Sequence, residues 1–120
     1  MARGKSGKLV RVGVIGVGRG ASFARGAGEH LGMKLVALCD ADPVTLERAR
    51  QQTVVAVVST SYEDIVQRDD VHAVIIATPN FTHAPIALAT FAAGKHVLCE
   101  KPVAMNHAEA RQMLRAAEAA

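Results

Sequence analysis

The chain contains an apolar run that ends in a cluster of glycines and is followed by a helical pattern. Residues 9–15 are mostly apolar, and the glycine-rich turn at 16–21 follows them directly. A continuous apolar run of this kind predicts a parallel strand buried on both faces. Beyond the turn, Phe23, Ala27 and Leu31 recur at every fourth position, which predicts a helix with one apolar stripe. We therefore expect a strand, a tight turn and a helix, in that order.

The small residues of this turn have separate physical tasks. Gly16 permits the tight turn, Gly18 allows a pyrophosphate to approach the backbone closely, and Ala21 lets the helix lie close to the strand. The start of such a helix directs unpaired N–H groups and the positive end of its dipole toward phosphate. Together these features predict a dinucleotide-binding turn. Glycines also form plain strand-to-helix turns, so the prediction depends on agreement elsewhere in the chain.

An acidic residue stands where a nucleotide ribose would need one. The second predicted strand, 34–40, ends on Asp40, which lies 22 residues after Gly18. At this distance an acidic side chain hydrogen-bonds the adenosine ribose hydroxyls. Its charge would repel a 2′-phosphate, which favours NAD over NADP. The alternative is that Asp40 only opens the next turn, although Asp42 and Pro43 already provide an N-cap and a first helical residue.

Strands and helices continue to alternate along the rest of the chain. We predict helices at 43–52, 62–67 and 84–93, strands at 53–58, 72–78 and 96–99, and a last helix opened by an Asn106/Glu109 capping box. The second helix is expected to bury Val44, Leu46 and Ala49, and Gly94 is expected to stop the fourth helix. The fold class predicted is α/β, a doubly wound parallel (Rossmann) sheet in the order 3-2-1-4-5, with helices on both faces.

Composition narrows the class of protein. At 120 residues the chain has room for one domain, which we place at 9–120 after a disordered basic lead-in at 1–8. Three lead-in cations, Arg3, Lys5 and Lys8, equal the whole net charge of +3, so a nucleic-acid groove is not predicted. No apolar run reaches a membrane span. The histidines are scattered, which argues against a metal site, and Cys39 and Cys99 lie in apolar strands, as reduced thiols do in a cytoplasmic protein.

A longer series of motifs resembles one family. The turn at 16–21, Cys39-Asp40, the segment 77–80, His83 and the segment 93–102 (AGKHVLCEKP) together resemble the glucose–fructose oxidoreductase/inositol dehydrogenase/MocA (Gfo/Idh/MocA) family. The resemblance extends from residue 9 to residue 120 and covers the N-terminal nucleotide-binding half of such proteins. It implies an NAD- or NADP-dependent oxidoreductase that exchanges hydride with a sugar- or polyol-type carbinol.

The resemblance also implies roles for individual residues. The turn residues would hold the pyrophosphate, namely Gly16, Val17, Gly18, Arg19, Gly20 and Ala21. Thr78, Pro79, Asn80 and His83 would line the nicotinamide side. Glu100 would reach the nicotinamide ribose, and Lys101, followed by Pro102, would be catalytic because its ammonium can polarise the reacting oxygen. From position alone, His83 is also an ordinary first-turn helix residue, Asn80 a turn residue and Lys101 a surface lysine.

Family members normally continue into a second domain that supplies the substrate pocket, and we expect this chain of 120 residues to lack that domain. We therefore expect this chain to bind the dinucleotide without turning over substrate by itself. The alternative is a non-catalytic nucleotide- or coenzyme A-binding module. The fifth strand should present an open edge, through which copies of the chain could associate. Arg19 or Arg48 could accept a 2′-phosphate, so NADP stays possible.

Overall fold

The sheet has five parallel strands. The computed structural model describes residues 8–28 and 31–120; of the lead-in expected at 1–8, residues 1–7 lie outside these ranges. The strands are β1 (Val10–Ile15), β2 (Met33–Cys39), β3 (Val57–Ser59), β4 (Ala73–Ile76) and β5 (His96–Cys99). Their order is β3-β2-β1-β4-β5 and every pairing is parallel. The predicted fold class and strand order are confirmed.

Helices cover both faces of this sheet. They are α1 (Ala21–Gly26), α2 (Pro43–Gln51), α3 (Tyr62–Val66), α4 (His83–Ala92) and α5 (His107–Ala119), with a 3₁₀ turn at Asn80–Thr82 leading directly into α4. One apolar cluster joins the sheet to α3, α4 and α5, and a second joins it to α1 and α2. The two clusters therefore bury both faces of the sheet at β1, β2 and β4. In the described ranges, the helices are all too short or too polar to cross a membrane.

The predicted apolar stripe of the first helix is wrong. Helix α1 ends at Gly26, so Ala27 and Leu31 lie beyond it, and Leu31 is 55% exposed. Ala24 is the residue that α1 buries. The helix ends early because glycine at positions 26 and 28 is unfavourable in a helix, and Ala27 takes an extended conformation.

The third strand is shorter and later than predicted. It occupies Val57–Ser59 instead of 53–58, and Val54 is 98% exposed. The β-branched residues favour an extended backbone, but β2 pairs with the third strand only through Ala37–Cys39. In α2, Leu46 and Ala49 are buried as expected, whereas Val44 is exposed.

The predicted helix ends are mostly confirmed. Asp42 caps α2 by accepting the Val44 N–H, and Pro43 is its first residue. Asn106 accepts the Glu109 N–H at the start of α5. Gly94 follows α4 with φ +76°, a conformation that glycine adopts without strain.

Candidate functional site

A cavity of about 1010 Å³ opens at the carboxyl ends of β1, β2 and β4. Seven of the residues predicted to contact a dinucleotide line it: Gly16, Gly18, Arg19, Asp40, Thr78, Pro79 and Asn80. Ligands of open α/β sheets bind at this edge, where the strand order reverses on either side of the first strand. The cavity therefore lies where the topology requires a binding site.

The glycine turn combines tight internal packing with one open position. Gly16 has φ +93°, and a Cβ there would lie 2.6 Å from the carbonyl carbon of Ala77. A Cβ on Gly20 would collide with the Gly16 carbonyl oxygen. At Gly18, by contrast, an added Cβ would only reach ordinary contact with Thr45 Cγ2, at 3.8 Å. Packing within the fold therefore does not require glycine at position 18, and the space that a side chain would occupy there is available to a ligand.

Asp40 links the glycine turn to the turn after β2. Its Oδ2 accepts the Val17 N–H at 3.0 Å, and its Oδ1 accepts the Asp42 N–H at 2.9 Å. The carboxylate therefore does form the turn contact that was the alternative to ribose binding. Each carboxylate oxygen can still accept a further hydrogen bond, and Asp40 also lines the cavity. The two functions are compatible in this geometry.

A second carboxylate stands beside it. Asp42 accepts the Thr45 hydroxyl at 2.7 Å and the Val44 N–H at 3.2 Å. These hydrogen bonds, the Thr45 hydroxyl first, lower the pKa of Asp42. This part of the cavity is consequently acidic, with Arg19 as a cationic lining residue.

The turn after β4 is held by its own hydroxyl groups. Thr82 Oγ1 contacts the Pro79 carbonyl oxygen at 2.6 Å and the Thr78 hydroxyl. Thr78, Pro79 and Asn80 present this turn to the cavity, and Phe81 lies at its mouth, 67% exposed. The arrangement offers a fixed polar lining directly beside the glycine turn, since a Cβ on Gly16 would lie 2.8 Å from the Thr78 backbone nitrogen.

His83 is a predicted site residue that the structure buries beneath the turn after β4. Its ring is 1% exposed and lies outside the cavity lining. Nε2 is 2.9 Å from the Thr78 carbonyl oxygen, and Nδ1 is 2.7 Å from that of Pro102. His83 is the first residue of α4, so the positional expectation is met, but the ring joins two segments that are distant in sequence.

The segment after β5 carries the last three predicted site residues, Glu100, Lys101 and Pro102. Lys101 and Pro102 are exposed, Glu100 is half-buried, and the Lys101–Pro102 peptide is cis. The Lys101 N–H is 3.4 Å from Glu100 Oε1. These three residues lie outside the cavity lining, as do Val17, Gly20 and Ala21 of the glycine turn.

Sequence reasoning missed several lining residues. They include Thr45, Tyr62, Phe81 and Pro85. Thr45, Tyr62 and Pro85 belong to the first turns of α2, α3 and α4. Because each helix follows a strand, its first turn is placed at the carboxyl edge, and that position was the available signal.

The buried thiol of Cys39 also faces this cavity. It lies at the end of β2 and is 2% exposed. Burial, assisted by the charges of Asp40 and Asp64, raises its pKa to about 12. The group is a neutral, unreactive thiol at physiological pH.

Comparison with known proteins identifies relatives of the whole described fold. Residues 10–120 match the GFO_IDH_MocA family, described as an oxidoreductase family with an NAD-binding Rossmann fold. A glycosyl hydrolase family 109 protein of Shewanella sp. (strain W3-18-1) is 39% identical in an alignment 120 residues long. The alignment covers 92% of this chain and 26% of the relative. The chain thus spans about a quarter of the length of that relative.

Solved structures agree with this match. Myo-inositol 2-dehydrogenase from Lactobacillus plantarum superposes with a TM-score of 0.82 at 29% identity, over 93% of this chain and 34% of that one. The WlbA dehydrogenase from Bordetella pertussis, solved with NADH and UDP-GlcNAcA, gives 0.84 at 29% identity over 93% and 33%. Biliverdin reductase from Synechocystis sp. PCC 6803, solved with biliverdin and NADP⁺, gives 0.80 at 29% over 92% and 35%.

Proposed function

Because the chain belongs to the Gfo/Idh/MocA oxidoreductase family, we propose that its cavity holds one extended dinucleotide along the carboxyl edge of the sheet. The observation that carries this proposal is the cavity itself. Its walls combine the open backbone at Gly18, the carboxylate of Asp40 and the polar turn 78–80. A volume of about 1010 Å³ lies at the upper end of the range of cofactor sites, about 300–1,000 Å³.

The order of groups along the edge follows from the strands. The pyrophosphate rests against the backbone between Gly16 and Ala21. The adenosine ribose lies toward β2, within reach of Asp40, and the nicotinamide lies toward β4, beside Thr78 and Asn80. Glu100 and Lys101 approach the nicotinamide end because they follow β5, the neighbour of β4.

The bound nicotinamide supplies the hydride acceptor or donor. In the proposed reaction, Lys101 lowers the pKa of the substrate carbinol by placing its ammonium near the oxygen that gains negative charge. The exposed side chain of Lys101 is free to meet a substrate delivered from outside this domain. Substrates of sugar or polyol type agree with the inositol dehydrogenase among the similar structures.

We propose NAD as the preferred cofactor. Asp40 and Asp42 both line the adenosine side of the cavity, and two carboxylates oppose the added charge of a 2′-phosphate. Arg19 is the lining cation that could accommodate NADP.

We propose that the chain alone binds the cofactor without turning over substrate. Hydride transfer requires a substrate held close to the nicotinamide in a site that excludes water. The cavity is open, and the described residues enclose a bound substrate on one side only. Two free cysteines in the described residues support a reducing, cytoplasmic environment.

A second candidate reaction comes from the curated relatives, which are named glycosyl hydrolases. Some glycosidases depend on NAD. If a sugar carbinol is oxidised, the neighbouring C–H becomes more acidic and a glycosidic oxygen can leave by elimination. Addition of water and return of the same hydride would complete a hydrolysis with no net redox change. The dinucleotide site proposed here would serve either outcome.

Fluorescence titration of the chain with NADH tests the proposal, with NADPH and coenzyme A as competitors. We expect saturable binding of NADH with a Kd below about 1 mM, which corresponds to about −4 kcal/mol, and weaker binding of NADPH. Preferential binding of coenzyme A would favour the non-catalytic module instead. Absence of binding by both nicotinamide cofactors would refute the proposal.

A further inference from the structure

The ring of His83 forms a bridge between two backbone segments. Its Nε2 faces the carbonyl oxygen of Thr78 at 2.9 Å, and its Nδ1 faces that of Pro102 at 2.7 Å. Thr78 belongs to the polar turn after β4, and Pro102 belongs to the segment after β5. The ring is 1% exposed, so water does not compete for these contacts.

Both partners of the ring are acceptors. A carbonyl oxygen only accepts, whereas a neutral imidazole carries a single N–H. A doubly protonated ring donates to both carbonyls at once, and a neutral ring donates to one of them. In either state, the ring fills the space between two segments that are distant in sequence, since α4 and β5 separate them.

Lys101 lies between two backbone anchors. On one side, the Glu100 N–H donates to the Ile76 carbonyl oxygen at 2.9 Å. On the other side, the Pro102 carbonyl oxygen contacts His83. The exposed side chain of Lys101 therefore projects from a backbone whose position is fixed relative to the end of β4.

We propose that His83 is a positioning residue for the nicotinamide end of the site, acting through Thr78 and the segment 100–102 without touching the cofactor. The inference deepens the proposed function and rests on it. It differs from the expectation that His83 itself lines the nicotinamide side. Its consequence is that His83 affects ligands that reach the nicotinamide end and leaves those that end at the pyrophosphate side unaffected.

Two ligands separate this role from a general contribution to folding. NADH occupies the whole proposed site, whereas ADP ends at the pyrophosphate and lacks both the nicotinamide and its ribose. We expect His83→Gln, which retains donor groups but loses the two-sided bridge, to raise the Kd of NADH about tenfold, a change of about 1.4 kcal/mol. The Kd of ADP should change less than about twofold.

Thr90→Val provides a matched control. Thr90 is another fully buried polar residue of α4, and its hydroxyl contacts the Ile86 carbonyl oxygen, within the helix. This variant should lower thermal stability while leaving the ratio of the two Kd values unchanged. Equal weakening of both ligands by His83→Gln, or no effect on either, would overturn the inference.

A measurement on the unmodified chain keeps the test decisive if the His83 variant does not fold. NADH should shift the ¹⁵N–¹H signals of the His83 ring, and ADP should leave them unchanged. Equal shifts with both ligands, or none with NADH bound, would contradict the positioning role. Failure of the unmodified chain to bind either ligand would instead refute the proposed function, and this inference with it.

Discussion

At the scale of single residues, the site depends on groups whose surroundings give them more than one task. Asp40 accepts backbone N–H groups from the glycine turn and from its own turn, and it also faces the cavity. Its negative charge affects which ligand binds, while its two hydrogen bonds hold the backbone that surrounds the ligand. A change in the backbone affects NADH and NADPH alike, so the ratio of their two Kd values isolates the effect of the charge.

Asp40→Asn should shift cofactor preference toward NADPH. The amide is isosteric with the carboxylate and removes the charge that opposes a 2′-phosphate, and because its NH₂ cannot accept an N–H, it also loses one of the two backbone contacts of Asp40. We expect the ratio of the NADPH Kd to the NADH Kd to fall about tenfold, equivalent to about 1.4 kcal/mol. Parallel fluorescence titrations measure it. An unchanged ratio would assign Asp40 to the turn alone.

Cys39 should resist thiol reagents in the folded chain. Only the thiolate is nucleophilic, and the pKa of this buried thiol is raised to about 12. In a Cys99→Ala background, reaction with Ellman's reagent at pH 8 should proceed only after unfolding. Rapid reaction under native conditions would contradict the described burial.

The same thiol gives a pH dependence of stability with a defined sign. Its pKa in the unfolded chain is near the ordinary value of 9.0 and rises to about 12 on folding. The unfolded state thus loses its proton first, and the contribution to stability is fully present below pH 9 and declines between pH 9 and 12. Denaturant titrations of the chain and of a Cys39→Ala variant should diverge in slope over this interval.

The residue scale also shows what the sequence could and could not predict. The glycines, Asp40 and the turn 78–80 were predictable because each acts within a few residues of a strand end. The bridge made by His83 was not, because its partner Pro102 lies 19 residues away. Only the packing of α4 against β4 and β5 brings the two together.

At the scale of elements, local signals predicted the ends of helices better than their buried faces. Asp42, Gly94 and Asn106 act through hydrogen bonds or dihedral angles close in sequence, and these predictions were confirmed. The apolar stripe of α1 was wrong because that helix ends at Gly26, and the third strand is shorter and later than predicted because strand length depends on partners. β2 offers β3 only three residues to pair with, so Val54 remains exposed despite its β propensity.

Asn106→Ala should destabilise the chain through α5. The Asn106 side chain accepts the Glu109 N–H at 2.9 Å, and Glu109 accepts the Met105 N–H in return. Loss of such a cap costs about 1 kcal/mol, measurable by urea denaturation. Asn106→Ser should retain most of the stability. An equal loss in both variants would show that the cap is not the stabilising contact.

At the scale of the whole molecule, β5 forms an unpaired edge of the described sheet. β5 hydrogen-bonds to β4, and its Leu98 is 57% exposed. An open edge with an apolar side chain recruits other strands. The chain spans about a quarter of the length of a curated relative, and we expect the additional chain in such relatives to shield comparable surfaces.

Association of the isolated chain should therefore depend on concentration and on Leu98. Size-exclusion chromatography over a range of concentrations should show a shift to larger species, which Leu98→Lys suppresses. Val54→Lys adds the same charge at another exposed position and should leave the shift in place. A monomer at every concentration would contradict the prediction, as would equal suppression by both variants.

The central claim is that a dinucleotide lies against the open backbone at Gly18, and calorimetric titration of NADH into two glycine variants tests it most directly. Gly18→Ala adds a methyl group that the fold accommodates but that projects into the site. Gly26→Ala adds the same group where, apart from its chain neighbours and the backbone of its own helix, no described atom lies within 4 Å. We predict at least about a tenfold rise in the NADH Kd for Gly18→Ala and an unchanged Kd for Gly26→Ala, with both variants folded. Equal NADH affinity in the two variants would contradict the claim.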